Sequence, residues 1–144
     1  HHFGSEENQQ GWEWFDGSLL DTTTNQLNTL PSLVATLRRT KLSDVVIPIV
    51  GESKVISSQW SAKLAFCFID GGHGDEPTRS DYLNWVPKIA VNGFLAIHDV
   101  FADPKDGGQA PYKYIYKAAL DSGEFVEVST TGSLRILKRT KISG

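Results

Sequence analysis

The sequence has a single cysteine, Cys67, and this scarcity excludes a disulfide bond within the 144 residues. Chains without disulfides fit a reducing compartment, so we expect a cytoplasmic location. No apolar run approaches the roughly 20 residues that a membrane-spanning helix needs, and the polar first residues do not form a signal peptide. Cys67 itself lies in an apolar stretch, which predicts a buried small side chain rather than a reactive thiol.

Positive charge is also scarce. The 14 lysines and arginines are outnumbered by 17 acidic residues, which leaves a formal net charge of −3. Apart from Arg38-Arg39 and Lys138-Arg139 the basic residues are scattered, so the broad basic patch of a nucleic-acid binder is missing. We therefore expect neither a nucleic-acid partner nor a membrane partner. Repeats and low-complexity tracts are absent, and 144 residues suit one domain.

The first 28 residues are rich in small polar side chains, and their apolar residues show little periodicity. This composition predicts an irregular loop over 1–28, followed by an α/β core over 29–144. The loop carries Trp12, Trp14 and Phe15, and a cluster of aromatic side chains argues against simple disorder. These aromatic side chains either cover the core or form a wall of a ligand cleft, and the sequence leaves both alternatives open.

From residue 29 the apolar spacing alternates between helical and strand periods. The predicted elements are a helix over 30–40, a strand over 45–50, a short helix through Val55, Ile56 and Trp60, a strand from Leu64, a helix over 79–89, a strand from Gly93 to His98, a helix over 112–120, and two strands over 125–138. The last two strands show the alternation and tight turn of an antiparallel hairpin. The alternation of strands and helices before them indicates a right-handed parallel sheet.

Two short apolar runs near the middle of the chain stop abruptly at acidic and imidazole side chains. Asp70 and His73 follow the first run, and His98 and Asp99 follow the second. Such runs are typical of strands covered on both faces, and ligands bind outside the carboxyl ends of these strands. We expect the four side chains to converge there. The alternative is that the first group forms only a turn and the second only a helix-capping corner.

The element order and three motifs resemble the class I S-adenosylmethionine-dependent methyltransferases. The motifs are Phe68-Ile-Asp-Gly-Gly-His73, Trp85-Val-Pro-Lys-Ile-Ala-Val-Asn-Gly93 and Ala96-Ile-His-Asp99, which are similar to those of a small-molecule group within that superfamily. The resemblance covers the chain from residue 29 onward, and 2–12 looks like the loop after the second strand of close relatives. It implies a Rossmann-like, mostly parallel sheet with helices on both faces and a C-terminal antiparallel hairpin.

The same resemblance implies an activity, methyl transfer from S-adenosylmethionine to a small hydroxylated molecule such as a sugar or a secondary metabolite. O-methylation is the expected reaction. Carried over by position, Gly51, Glu52 and Ser53 would lie by the adenine, and Asp70 with Gly71 beside the sulfonium and the acceptor. The residues proposed to line the acceptor pocket are Trp12, Trp14, Phe101 and Tyr112, for which packing into the core is the alternative.

Catalysis by positioning suits this chemistry, because methyl transfer from a sulfonium is an in-line displacement. A hydroxyl acceptor also benefits from a base, and His73 or His98 could take its proton while Asp70 and Asp99 orient the imidazoles or the substrate. Some relatives instead hold Mg²⁺ at these strand ends. Here Asp70, His98 and Asp99 could hold Mg²⁺ or another divalent metal, although a hard cation prefers oxygen ligands to the imidazole of His98.

One departure from the resemblance is clear. No strand followed by a glycine-rich turn, against which the methionine part of the cofactor would lie, is present in the sequence. We therefore expect a methyltransferase domain truncated at its N-terminus, which binds S-adenosylmethionine weakly or not at all. Whether His1 and His2 are native residues is left open.

Truncation would leave the strand from Leu64 without a neighbour, so we expect a homo-oligomer that associates through this sheet edge. Two other functions remain open. One is a non-catalytic fragment or pseudoenzyme that acts as an interaction module, and the other is a metal-dependent hydrolase or lyase that uses Asp70, His73, His98 and Asp99.

Overall fold

The structure, a computed structural model, describes residues 3–4, 8–13 and 15–142. Whether His1 and His2 are native, and whether Trp14 covers the core or lines a pocket, concerns residues that lie outside the described part of the chain. The chain forms two compact units, with the boundary between Glu52 and Ser53. No helix in the described part of the chain is long and apolar enough to cross a membrane.

The first unit contains a small hairpin and one helix. A 3₁₀ turn at Gly17–Leu19 leads into strands β1 (Leu20–Asp21) and β2 (Gln26–Leu27), which pair antiparallel. The turn between them closes through Asn25, whose φ of 54° is left-handed. A short hairpin thus lies within the predicted irregular loop over 1–28, and asparagine tolerates the left-handed backbone that its tight turn requires.

Helix α1 (Leu30–Arg39) follows and agrees with the predicted helix. Pro31 lies in its first turn, where a missing N–H leaves no helical hydrogen bond unmade. Thr29 precedes the helix, but its side chain makes no capping hydrogen bond. Oδ1 of Asn28 accepts a hydrogen bond from the N–H of Leu30 instead, at 3.2 Å.

The predicted strand over 45–50 does not form. These residues have no strand assignment and all of them are exposed, up to 79% for Ile47. A strand is stable only when its backbone groups pair with a neighbour. No described strand pairs with this segment, so its apolar composition alone does not make it a strand.

The second unit alternates helices and strands as predicted. Its elements are α2 (Ser53–Gln59), β3 (Leu64–Ile69), α3 (Asp75–Trp85), β4 (Ile89–Ile97), α4 (a π-helical part Tyr112–Lys117 continued by Ala118–Asp121), β5 (Phe125–Thr131) and β6 (Leu134–Arg139). The sheet order is β3-β4-β6-β5, in which β3 and β4 are parallel and the other two pairings are antiparallel. The fold class is α/β and Rossmann-like with the predicted C-terminal hairpin, and the described sheet is mixed rather than mostly parallel.

Helix α3 begins four residues before the predicted start at Arg79. Asp75 and Glu76 occupy its first turn, where their charges favour the helix dipole, and Pro77 is tolerated there. The helix ends at Trp85 and a 3₁₀ turn, Val86–Lys88, leads into β4. Pro87 has no backbone N–H to donate, so a regular α-helix cannot continue through it.

The core lies on one face of the sheet of the second unit. Cys67, Leu95 and Leu137 occupy matching positions on β3, β4 and β6, and residues of α3 and α4 pack on the same cluster. Burial raises the pKa of the half-buried Cys67 thiol to about 11, with a further contribution from the charge of Asp81. Cys67 is thus a packing residue with little thiolate at neutral pH.

The other face of the same strands exposes large aromatic side chains. Phe66 and Phe94 are opposite each other in the β3–β4 register and are 56% and 37% exposed. Phe68, next on this face of β3, is 49% exposed. This surface is called the open face below, and it contrasts with the helix-covered face that holds the core.

Candidate functional site

The site is formed where β3 and β4 end. Ile69 and Ile97 are the last paired residues of the two parallel strands, and the N–H of His98 donates to the carbonyl of Ile69 at 3.1 Å. Asp70 and His98 therefore leave the sheet side by side. The structure brings together the four side chains expected at this edge, Asp70, His73, His98 and Asp99, which we name the strand-end cluster.

Imidazole and carboxylate groups alternate in this cluster. Nδ1 of His98 lies 3.2 Å from Oδ1 of Asp70 and 3.1 Å from Oδ1 of Asp99, and Nε2 of His73 lies 3.2 Å from Oδ2 of Asp99. His98 Nδ1 is itself buried and, within the described residues, makes no hydrogen bond of acceptable geometry, although the two carboxylates are near. A proton or a cation shared among these atoms would neutralise the crowded negative charge.

Asp99 is held in an uncommon backbone conformation. Its φ of 53° is left-handed, a region that aspartate tolerates better than most side chains. The loop between β5 and β6 supports it, because Ser133 Oγ donates to Asp99 Oδ1 at 3.3 Å and the Ser133 carbonyl accepts from the N–H of Val100 at 2.9 Å. The C-terminal hairpin thus fixes one carboxylate of the cluster, and sequence reasoning missed Ser133.

The turn that carries Asp70 and His73 is held by helix α3. Thr78, only 2% exposed, donates its hydroxyl to the carbonyls of Gly72 and Gly74 at 3.2 and 2.7 Å. Gly71 is packed closely as well, since a Cβ there would lie 2.9 Å from Oδ2 of Asp81. Any side chain at Gly71 would displace that carboxylate.

Asp81 is a second residue that sequence reasoning missed. The hydroxyl of Ser53 donates to Asp81 Oδ1 at 2.7 Å, and the indole Nε1 of Trp85 donates to Ser53 Oγ at 2.6 Å. Burial raises the pKa of Asp81, and the hydrogen bond from Ser53 partly opposes this shift. The available signal was the spacing of Thr78, Asp81 and Trp85, three and four residues apart, which places them on one face of a helix.

A small cavity lies behind the turn. It has a volume of about 10 Å³ and is lined by Asp70, Gly71, Gly72, His73, Thr78, Asp81, His98, Pro111, Ile115 and two strand residues. A space of this size holds about one water molecule, and the polar groups around it supply the partners that a water needs. The cavity links the strand-end cluster to Asp81.

The three residues expected beside an adenine ring are divided between the two units. Ser53 begins α2 and joins the hydrogen bonds just described, whereas Gly51 and Glu52 are exposed residues at the end of the first unit. Of the residues proposed to line an acceptor pocket, Tyr112 stacks on Tyr116 with ring centroids 5.7 Å apart and borders the core.

The cluster fits a divalent cation. Asp70, His73 and Asp99 each offer one ligand atom, and these atoms all lie within 4.8 Å of one another. His98 Nδ1, which faces two of the carboxylates, is the further donor expected from the sequence. Two carboxylates with an imidazole suit Mn²⁺, Fe²⁺ or Zn²⁺ as well as Mg²⁺, because a mixed nitrogen and oxygen set is less selective for hard ions.

Comparison with known proteins supports both the family and the fold. A family model described as a methyltransferase domain matches residues 5–100, two thirds of the chain, and ends just after Asp99. The solved structure of the O-methyltransferase NovP superposes with a TM-score of 0.64 at 18% identity over 97% of this chain. At that identity the likeness shows the fold, and this chain spans 57% of the length of that structure. The family match shows that this chain belongs to the methyltransferase domain family.

Proposed function

We propose that the protein transfers a methyl group from S-adenosylmethionine to a hydroxyl oxygen of a small molecule such as a sugar or a secondary metabolite. The observation that carries this proposal is the strand-end cluster, in which two imidazoles contact two carboxylates at the carboxyl ends of adjacent parallel strands. The same edge of a Rossmann-like sheet is where such folds bind ligands. The likeness to an O-methyltransferase structure supports oxygen as the acceptor atom.

The chemistry asked of these side chains is modest. The acceptor oxygen attacks the methyl carbon in line, the bond from that carbon to sulfur breaks with its electron pair passing to sulfur, and the hydroxyl proton leaves. His73 or His98 takes this proton, and Asp99, which contacts both imidazoles, stabilises the imidazolium that forms. Asp70 orients His98 from the other side.

A divalent cation would be held by Asp70 and Asp99 together with His73 or His98. Such an ion, when bound, supplies Lewis acidity that lowers the pKa of an acceptor hydroxyl. The residues keep a role without it, since the imidazoles can hold the proton and the carboxylates can orient them. Dialysis against a chelator, followed by return of Mg²⁺, Mn²⁺ or Zn²⁺ singly, separates these two roles.

The proposal is tested by methyl transfer from labelled S-adenosylmethionine to a panel of hydroxylated sugars and phenols, using the full-length protein. We expect His73→Gln or His98→Gln to lower kcat by about a hundredfold or more, as loss of a general base does. Lys113→Gln, an exposed change on α4, is the matched control. Absence of transfer to every acceptor, together with absence of calorimetric binding of S-adenosylmethionine, would refute the proposal.

A second candidate function is an interaction role through the sheet. Strand β3 lies at the edge of the sheet order, and Phe66, Phe68 and Phe94 are exposed on the open face. Exposed edges and apolar patches favour association, so we propose a homo-oligomer formed through this region. Sedimentation velocity tests it: the protein should sediment as an oligomer, and Phe66→Glu should shift it to a monomer. A monomer at high concentration would refute this second candidate.

A further inference from the structure

Within the second unit, the Ser53 hydroxyl makes two of the three hydrogen bonds that it can form. A serine hydroxyl has one proton to donate and two lone pairs to accept with. An ionised carboxylate only accepts, so the contact of 2.7 Å to Asp81 Oδ1 uses the proton of Ser53. An indole N–H only donates, so the contact of 2.6 Å from Trp85 uses one lone pair.

One lone pair of Ser53 remains, and it can only accept. No other hydrogen bond to Ser53 Oγ occurs among the described residues, and Ser53 is half-buried rather than enclosed in the core. A ligand group placed there must therefore be a donor. A carbonyl oxygen in the same position would face a lone pair and gain no hydrogen bond.

Asp81 fixes the direction of the Ser53 hydroxyl, and it also lies close to the turn at Gly71. One of its oxygens accepts from Ser53, and the other lies 2.9 Å from the space that a Cβ of Gly71 would fill. The turn at Gly71 continues to His73, and Thr78 of the same helix face holds its carbonyls. A single carboxylate thus orients a hydroxyl at the start of α2 and packs against the turn of the strand-end cluster.

We propose that Asp81 is a positioning residue that makes Ser53 a pure acceptor and so selects a cofactor with an amino group at this place. Resting on the proposed function, this means the 6-amino group of the adenine of S-adenosylmethionine in preference to the 6-oxo group of a hypoxanthine. Asp81 touches neither reacting atom. Its effect reaches the ligand through the direction of the Ser53 hydroxyl.

The test compares the affinity of the full-length protein for two compounds by calorimetry, S-adenosylhomocysteine and its 6-oxo analogue S-inosylhomocysteine. We expect the natural protein to favour the adenine compound by about tenfold, the size of one hydrogen bond. Asp81→Leu, similar in size but unable to accept, frees the hydroxyl to turn and should reduce the preference to about twofold. Asp81→Asn retains an acceptor oxygen and should restore most of it.

Two further variants keep this test decisive. Asp81→Ala gives the same comparison if leucine crowds the turn at Gly71. Asp121→Leu, at an exposed position near the end of α4, is the control for a lost aspartate. The indole Nε1–H resonance of Trp85, assigned with Trp85→Phe, should stay hydrogen-bonded in Asp81→Leu and shift in Ser53→Ala. That signal reports the hydrogen bond to Ser53 without any cofactor.

Failure of this inference is distinct from failure of the proposed function. If S-adenosylhomocysteine binds and Asp81→Leu keeps the full preference for adenine, the role of Asp81 is refuted while cofactor use stands. If the protein binds neither compound, the proposed cofactor is refuted and the role of Asp81 with it.

Discussion

Residues 45–50 and residues 64–69 are two apolar runs of equal length, but only the second forms a strand. The second is strand β3, parallel to β4, and one face of it packs into the core. Every residue of the first run is exposed, and none of them pairs with a strand in the described structure. Both runs contain residues that favour strands. Strand-forming composition is therefore not sufficient, and a strand forms only where a neighbouring strand pairs with it.

Strand pairing matters for function, because only the paired run, 64–69, leads directly into the strand-end cluster. Pairing with β4 brings Asp70 beside His98 and aligns the ends of both strands. Residues Gly51 and Glu52, at the end of the unpaired run, have no comparable support from a sheet. The geometry of the strand-end cluster therefore depends on the ladder behind it.

The largest expected effect tests this dependence on pairing. Leu95 is fully buried on β4 opposite Cys67, whereas Ile47 in the unpaired run is 79% exposed. Leu95→Ala should lower the free energy of unfolding by about 3 kcal/mol, because it removes buried methyl groups and leaves a cavity. Ile47→Ala should change it by less than about 0.5 kcal/mol. Urea denaturation measures both, and equal losses would show that the two runs are equally packed.

The next effect compares the reactivity of a thiol in each run. Burial raises the pKa of Cys67 to about 11, so little thiolate exists at pH 8 and more forms only as the pH rises toward that value. Alkylation by iodoacetamide at pH 8 should be about a hundredfold slower for Cys67 than for a cysteine placed in the exposed run by Val46→Cys in a Cys67→Ser background. Similar rates at pH 8 would contradict the packing of β3.

The third prediction concerns Thr78, which holds the turn after the paired run. Thr78→Val keeps the shape of the side chain but removes the hydroxyl that donates to the carbonyls of Gly72 and Gly74. We expect a loss of about 1 to 2 kcal/mol in the free energy of unfolding, because these half-buried carbonyls lose the hydroxyl donor. Thr36→Val, on the exposed surface of α1, is the control. No loss in Thr78→Val would mean that the turn is held by other contacts.

Much of the second unit was predictable from periodicity. The hairpin at the C-terminus, the strand before Asp70 and the strand before His98 all agree with the sequence pattern. Strand β4 begins earlier than Gly93, however. Its register moves from Leu64 opposite Ile89 to Phe66 opposite Phe94, and a left-handed Asn92 lies in the irregular part. A bulge of this kind depends on the partner strand, so the pattern of one strand does not predict it.

The candidate site also contains residues that the sequence predicted and contacts that it did not. Asp70, His73, His98 and Asp99 could be named because each follows an apolar run, and strand ends are where ligands bind. Helical spacing could place Asp81 on one face with Thr78 and Trp85. The contacts of Asp81 to Ser53 and of Ser133 to Asp99 could not be predicted, because they join residues 28 and 34 positions apart. The proposed roles of all these residues in methyl transfer remain predictions.

Local sequence is enough to specify which segments can become helices and strands and which polar residues end them, because side-chain periodicity and turn chemistry are local properties. Tertiary structure alone decided which apolar run found a partner, which face of the sheet was covered, and which way the hydroxyl of Ser53 points. The physical reason is that strand pairing, burial and hydrogen-bond direction are set by groups distant in sequence, and their energies exist only after the chain has brought those groups together.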